Sequence, residues 1–222
     1  MSHRARCSKK WFETVFDLLY LGTLSVAGCQ LLGAASKWSL RWTFGLLTLL
    51  LCFGDAFHLI PRILDTWDRR IGYHHVSIGL GKMASSITMT LFYLGLWLIG
   101  AVHYGIAANW MTLFVLLLGM LRIIACLLPQ NKWATIGTSQ RWIIFRNVPL
   151  FLIGTAVMLL FAAGASQIAD GLSQIWFAIL LSFLCYAPVV LFSKKHPKVG
   201  VLMLPKSCAY VAIVLMGFSF PG

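Results

Sequence analysis

The chain has 222 residues, 59% of them hydrophobic and only 11% charged, with a mean hydropathy of +0.84. That excludes a soluble globular domain and describes a single polytopic transmembrane domain spanning 1–222. The net charge of +12, from 18 Lys and Arg against 6 Asp and Glu, would suggest a nucleic-acid partner in a soluble protein. Here the basic residues fall mainly in alternate loops, so topology accounts for most of the charge and no nucleic-acid partner is expected.

The chain starts with a basic tail carrying Arg4, Arg6, Lys9 and Lys10. Glu13 and Asp17 follow at once, which argues against a signal peptide, whose apolar region avoids acids. The first predicted span is about 11–32, with Glu13, Asp17 and Tyr20 forming a polar stripe at its start. The second is about 40–62, the third 76–100, the fourth 106–128, the fifth 142–163, the sixth 172–192 and the seventh 199–218. The fold class is therefore all-α, a bundle of seven transmembrane helices.

The loops differ in charge. The tail and the loops after spans two, four and six hold nearly all the Lys and Arg, including Arg69, Arg70, Lys132, Arg141, Lys194, Lys195 and Lys198. The loops after spans three and five have none; the loop after span five carries only Asp170. The positive-inside rule then places the N-terminus in the cytoplasm and the C-terminus outside, in a multi-pass protein of the plasma membrane. Five of the six cysteines (Cys29, Cys52, Cys126, Cys185 and Cys208) lie in apolar runs without ligand spacing. They read as small buried hydrophobes, neither a disulfide framework nor a zinc site. His74 and His75 are adjacent, and neighbours on a helix point apart, so no metal site is expected there. No cofactor is expected either.

The most informative stretch is Phe53–Arg62, at the end of the second span. Asp55 lies within an apolar run, where a carboxylate costs roughly 3 kcal/mol on insertion scales and is a functional-site candidate by default. His58 and Arg62 share its helix face. Gly54 permits close approach of another backbone. Pro61 is expected to bend or end the helix, because it lacks an N–H and crowds the carbonyl of Phe57.

Other ionisable groups fall at the same end of their spans. Glu13 and Asp17 are early in span one. Lys82, Arg146 and Lys206 sit in the first turns of spans three, five and seven, and Arg122 lies near the end of span four. In span three, Lys82, Ser85, Ser86, Met89 and Tyr93 recur at helical spacing; Tyr210 follows Lys206 by one turn. Three acids against five cations (Arg62, Lys82, Arg122, Arg146 and Lys206) predict a polar cavity, open to the cytoplasm, that suits an anionic ligand. Snorkelling suits Arg62 and Arg146, near the interface, but not Asp55, whose side chain is short. The expected partners are membrane lipids and a lipid headgroup or small anion. A weaker echo relates spans one to three with spans five to seven, as in transporters built from parallel repeats.

The motif Gly54-Asp55-Ala56-Phe57-His58-Leu59-Ile60-Pro61-Arg62 resembles the Gly-Asp-x-x-Leu-Leu-Pro signature of the lysoplasmalogenase-like membrane hydrolases. The resemblance is specific over these residues and loose into span three. It implies a helical membrane hydrolase that cleaves the vinyl-ether bond of lysoplasmalogens. The family's second aspartate in a late helix and its histidine after the motif have no counterpart here. On that resemblance Asp55 would deliver a proton, with Asp17 or Glu13 as the second carboxylate. Lys82, Arg122 and Lys206 would hold the lysolipid phosphate. The alternative is a transporter or binding protein for a small anion or lipid headgroup.

Overall fold

The computed structural model describes residues 3–68, 73–106, 109–135, 138–166, 168 and 171–222, with side chains from Lys10 onward. The side chains of Arg4, Arg6 and Lys9, together with Arg69, Arg70 and Asp170, lie outside the described residues. Seven α-helices follow in order: α1 (His3–Gly33), α2 (Leu40–Trp67), α3 (His75–His103), α4 (Trp110–Leu127), α5 (Gln140–Ala165), α6 (Ile175–Phe192) and α7 (Met203–Met216). Short 3-10 turns cover Pro129–Asn131, Pro197–Leu202 and Gly217–Ser219. Among the described residues seven segments are long and apolar enough to cross a membrane, the last being Pro197–Ser219. No strand occurs among the described residues.

Each helix packs on its sequence neighbours; α1 also meets α7, and α3 meets α5, which closes the bundle. Lipid tails are as apolar as leucine, so close packing and polar contacts hold such helices together. Phe44, Phe92, Tyr93, Phe161, Tyr210 and Phe220 are fully buried between the helices. Tyr93 stacks on Phe183 at 5.6 Å, and its hydroxyl meets that of Tyr210 at 3.1 Å. Trp11, Leu18, Leu117 and Leu184 face outward, as lipid contact requires. Side-chain caps start three helices. Ser39 accepts from the Trp42 amide, Asn109 from Met111 and Thr112, and Ser139 from Trp142.

Pro61 does not end the second helix; α2 continues to Trp67 with the proline inside it. The carbonyl of Phe57, which loses its helical partner to the proline, lies against Gly81 of α3, where a Cβ would collide with it. Gly54 also lets α3 come close, but its neighbour is the Thr88 side chain rather than backbone. Beyond the proline, Lys10 Nζ donates to the Thr66 carbonyl at 2.8 Å and Trp67 Nε1 to Thr14 Oγ1 at 3.0 Å, tying the end of α2 to α1. Of the cysteines expected to be buried, Cys29 and Cys208 instead lie on the outer surface, while Cys52, Cys126 and Cys185 are buried.

The other end of the bundle is fastened by the C-terminal residues. Arg41 Nε donates to the Phe220 carbonyl at 2.8 Å. Arg41 is thereby spent on structure, far from the charges described next.

Candidate functional site

A cavity of about 200 Å³ opens between the helices at the end that carries the loops after α2, α4 and α6. Its charged walls are Asp17 from α1, Asp55 and Arg62 from α2, Lys82 from α3, Arg122 from α4, Arg146 from α5 and Lys206 from α7. His58, Ser85 and Ser86 also line it. Helical periodicity explains this convergence: each group lies on the inward face of its own helix, near the same end.

Asp55 is 7% exposed and fully engaged. Tyr20 of α1 donates to its Oδ2 at 2.7 Å, and Ser85 of α3 donates to its Oδ1 at 2.6 Å. Both carboxylate oxygens therefore act as acceptors, and the side chain joins three helices. Asp17 has a different partner: Arg62 Nη2 lies 3.0 Å from its Oδ2. The pair sits at the wall between α1 and α2, with Arg62 partly open to solvent.

The remaining cations have no carboxylate partner of their own among the described residues. Arg122 is 1% exposed, and its Nε and Nη1 have no hydrogen-bond partner. Lys206 Nζ lies over the rings of Tyr210, at 4.5 Å, and Tyr186, at 5.1 Å. Such cation–π contacts offset part of the cost of burial without neutralising the charge. Arg146 donates from Nη1 to Asn131 Oδ1 at 2.8 Å and stacks over Trp133 at 4.1 Å. His58 Nδ1 is also buried without a partner. Five cationic side chains thus face two carboxylates, both already bonded.

Ser86 donates to the carbonyl of Lys82 at 2.7 Å, the local bond common for serine in a membrane helix. Tyr210 stands behind Lys206 and meets Tyr93, outside the cavity wall. Glu13 does not line the cavity either; it lies one turn closer to the start of α1 than Asp17. His74 pairs with Asp68 at 3.3 Å.

Several contributors carry no charge and so do not stand out in the sequence as site residues. Tyr20 is one, although its place in the stripe with Asp17 was the available signal. Asn131 and Trp133 are others. Asn131 Nδ2 donates to the carbonyls of Ala125, Cys126 and Leu128, and Trp133 Nε1 to that of Cys126. Together they satisfy two of the last carbonyls of α4, and the one just beyond it, and hold Arg146 in place. Nothing in the sequence marks a loop Asn and Trp for that role.

No protein-family model matches the chain, and a search of curated proteins finds no match. Fold and site define a multi-pass membrane protein, a seven-helix bundle that encloses a predominantly cationic cavity at one end.

Proposed function

We propose that the cavity binds an oxyanion of the phosphate type, as a free ion or as a lipid headgroup, and that the protein is a binding protein or transporter for it. The observation that carries this reading is Arg122. A guanidinium buried without a carboxylate and with two nitrogens unbonded is costly in a protein interior. An anion in the cavity supplies the counter-charge that this guanidinium lacks, and guanidinium geometry matches phosphate and carboxylate oxygens. Lys206 and Lys82 add charge from α7 and α3. The cavity volume falls below the roughly 300–1,000 Å³ of pockets that enclose drug-sized molecules. It suits a headgroup or small ion rather than a whole lipid. In this reading the cavity faces the cytoplasm of a plasma-membrane protein, following the distribution of loop charge.

The test is calorimetric titration of the detergent-solubilised protein with inorganic phosphate and, separately, with glycerol phosphate. Saturable binding is expected for at least one of them. It should weaken at least tenfold in Lys82→Met and in Lys206→Met, about 1.4 kcal/mol for each lost contact. Stronger binding of glycerol phosphate would favour a headgroup, and stronger binding of phosphate a free ion. Parent-like binding in both variants would remove the pocket assignment.

A second reading is the lysoplasmalogenase-like hydrolase implied by the resemblance at Gly54–Arg62. It is supported by Asp17 and Asp55 lining one cavity. Against it, both oxygens of Asp55 accept hydrogen bonds, which describes a fixed carboxylate more than a group delivering a proton. Aldehyde release from a lysoplasmalogen by the folded parent, lost in Asp55→Asn, would put the hydrolase first.

A further inference from the structure

A second cavity, of about 490 Å³, adjoins the first on the loop side. Its walls come from the end of α2, the start of α3, the loop after α4, the start of α5 and the loop after α6. Among the described residues its cations are Lys82, Lys132, Arg146 and Lys194, with His75 and a single acid, Asp65. Asp65 Oδ1 is approached by the His74 amide at 3.4 Å. Lys132 and Lys194 are exposed, as a capture surface requires.

The two cavities share three residues: Lys82, Trp133 and Arg146. These form the partition between them. The partition is built into the fold. Trp133 is anchored by its indole N–H to the end of α4, and its backbone carbonyl lies against Gly79 of α3, where no side chain fits. Arg146 is held between Trp133 and Asn131. Lys194 bonds the carbonyl of Thr138, so the loop after α6 is fixed to the loop after α4. The route from solvent to Arg122 is therefore cationic along its length: Lys132 and Lys194 outside, Lys82 and Arg146 at the partition, Arg122 and Lys206 within.

We infer that the outer cavity is a separate capture site for water-borne oxyanions, which reach the inner cavity past Trp133 and Arg146 rather than from the bilayer. This rests on the anion-binding reading and adds to it a source, a second site and a gate. Displacement of the Arg146 guanidinium from the Trp133 face by an incoming anion opens the partition. The arginine exchanges a cation–π contact for a charge-assisted hydrogen bond, which is the stronger interaction.

The test measures access without requiring ligand affinity. Ser86 lines the inner cavity and not the outer one. Ser86→Cys is placed in the full-length protein, and its reaction with an anionic methanethiosulfonate, the sulfonatoethyl reagent, is compared with that of the cationic trimethylammonium-ethyl reagent. The parent supplies the background from its own cysteines. Relative to each reagent's rate with a free thiol in solution, the anionic reagent should react about tenfold faster at low salt, within the range electrostatic focusing provides. Lys132→Gln with Lys194→Gln should reduce that preference several-fold, the inner cations keeping the remainder, and Trp133→Ala should raise both rates several-fold. Equal rates for the two reagents, or a preference untouched by the lysine changes, would overturn the inference even if Trp133→Ala does not fold. Phosphate binding by the parent alongside equal reagent rates would leave the anion site standing and remove only the route. A charge preference without phosphate binding would do the reverse.

Discussion

The hydroxyl of Tyr20 donates a 2.7 Å hydrogen bond to Oδ2 of Asp55, joining α1 to α2 inside the bundle. Ser85 serves the other oxygen from α3. Removing one donor leaves a buried carboxylate oxygen short of a partner, which costs about 1–3 kcal/mol in protein interiors, and nearer 0.6 on average between membrane helices. Tyr20→Phe should therefore lower the thermal unfolding temperature in detergent, and so should Ser85→Ala. With Asp55→Asn in the background, the Tyr20→Phe penalty should shrink, because the acceptor that required the donor has lost its charge. Full additivity of the two changes would show that the bond does not form.

Asp17 depends on Arg62 in a different way. The acid is 4% exposed while the arginine is partly open to water. Arg62→Gln should cost about 1–3 kcal/mol, less than the 3–5 kcal/mol of a wholly buried pair. Adding Asp17→Asn should restore most of that loss. Unfolding curves for the two single variants and the double variant decide the point; a double variant as unstable as the sum of the singles would exclude the pairing.

The contact of α2 with α3 makes two glycines sensitive. At Gly81 an added Cβ would strike the backbone carbonyl of Phe57, and at Gly54 it would strike the side chain of Thr88. Overpacking of this kind typically costs about 1–3 kcal/mol. Gly81→Ala should be the more damaging, since backbone yields less than a threonine side chain. Gly22 has no neighbour within 4 Å, so Gly22→Ala should be neutral or stabilising by up to about 1 kcal/mol. Equal stability of all three variants, measured by detergent melting and monodisperse yield, would show that the two helices are not packed this closely.

Much of this arrangement was legible in the sequence because a charge in an apolar helix is costly and therefore conspicuous. Asp17, Asp55, Lys82, Arg122, Arg146 and Lys206 were recognisable one by one, and helical period placed each near the same end. Hydropathy located the seven helices; of the two outcomes expected at Pro61, a bend or an end, the helix does not end there. Where α2 continues to Trp67, the Phe57 carbonyl freed by Pro61 lies against Gly81 of the next helix, and such a tertiary contact has no local signal. The parts played by Trp133 in the partition, and by Asn131 in bracing Arg146, were invisible for the same reason: both residues are anchored through carbonyls at the end of α4. Glu13 showed the limit of spacing alone. It shares a stripe with Asp17, yet one turn takes it out of the cavity.

Orientation can be tested separately. The turn Ser193–Lys198 lies at the end of the bundle that holds both cavities. Single cysteines placed there should react with a membrane-impermeant reagent in inverted vesicles and not in intact cells. Labelling from outside would place the cavities on the opposite face and remove the cytoplasmic assignment.

On the proposed reading, Arg122 is kept buried without a carboxylate so that it can hold an anion, at the expense of stability. Replacing a buried, unsatisfied charge by an apolar side chain of similar length removes a penalty, and functional residues are where such penalties are retained. The direct measurement is thermal unfolding of the parent and of Arg122→Met, each with and without inorganic phosphate or glycerol phosphate. The ligand-free variant should melt higher than the ligand-free parent. The parent should be stabilised by saturating anion, by about 2.7 kcal/mol at one hundred times the dissociation constant, and the variant should not respond. A variant that melts lower than the parent and is still stabilised by the same anion would contradict the account.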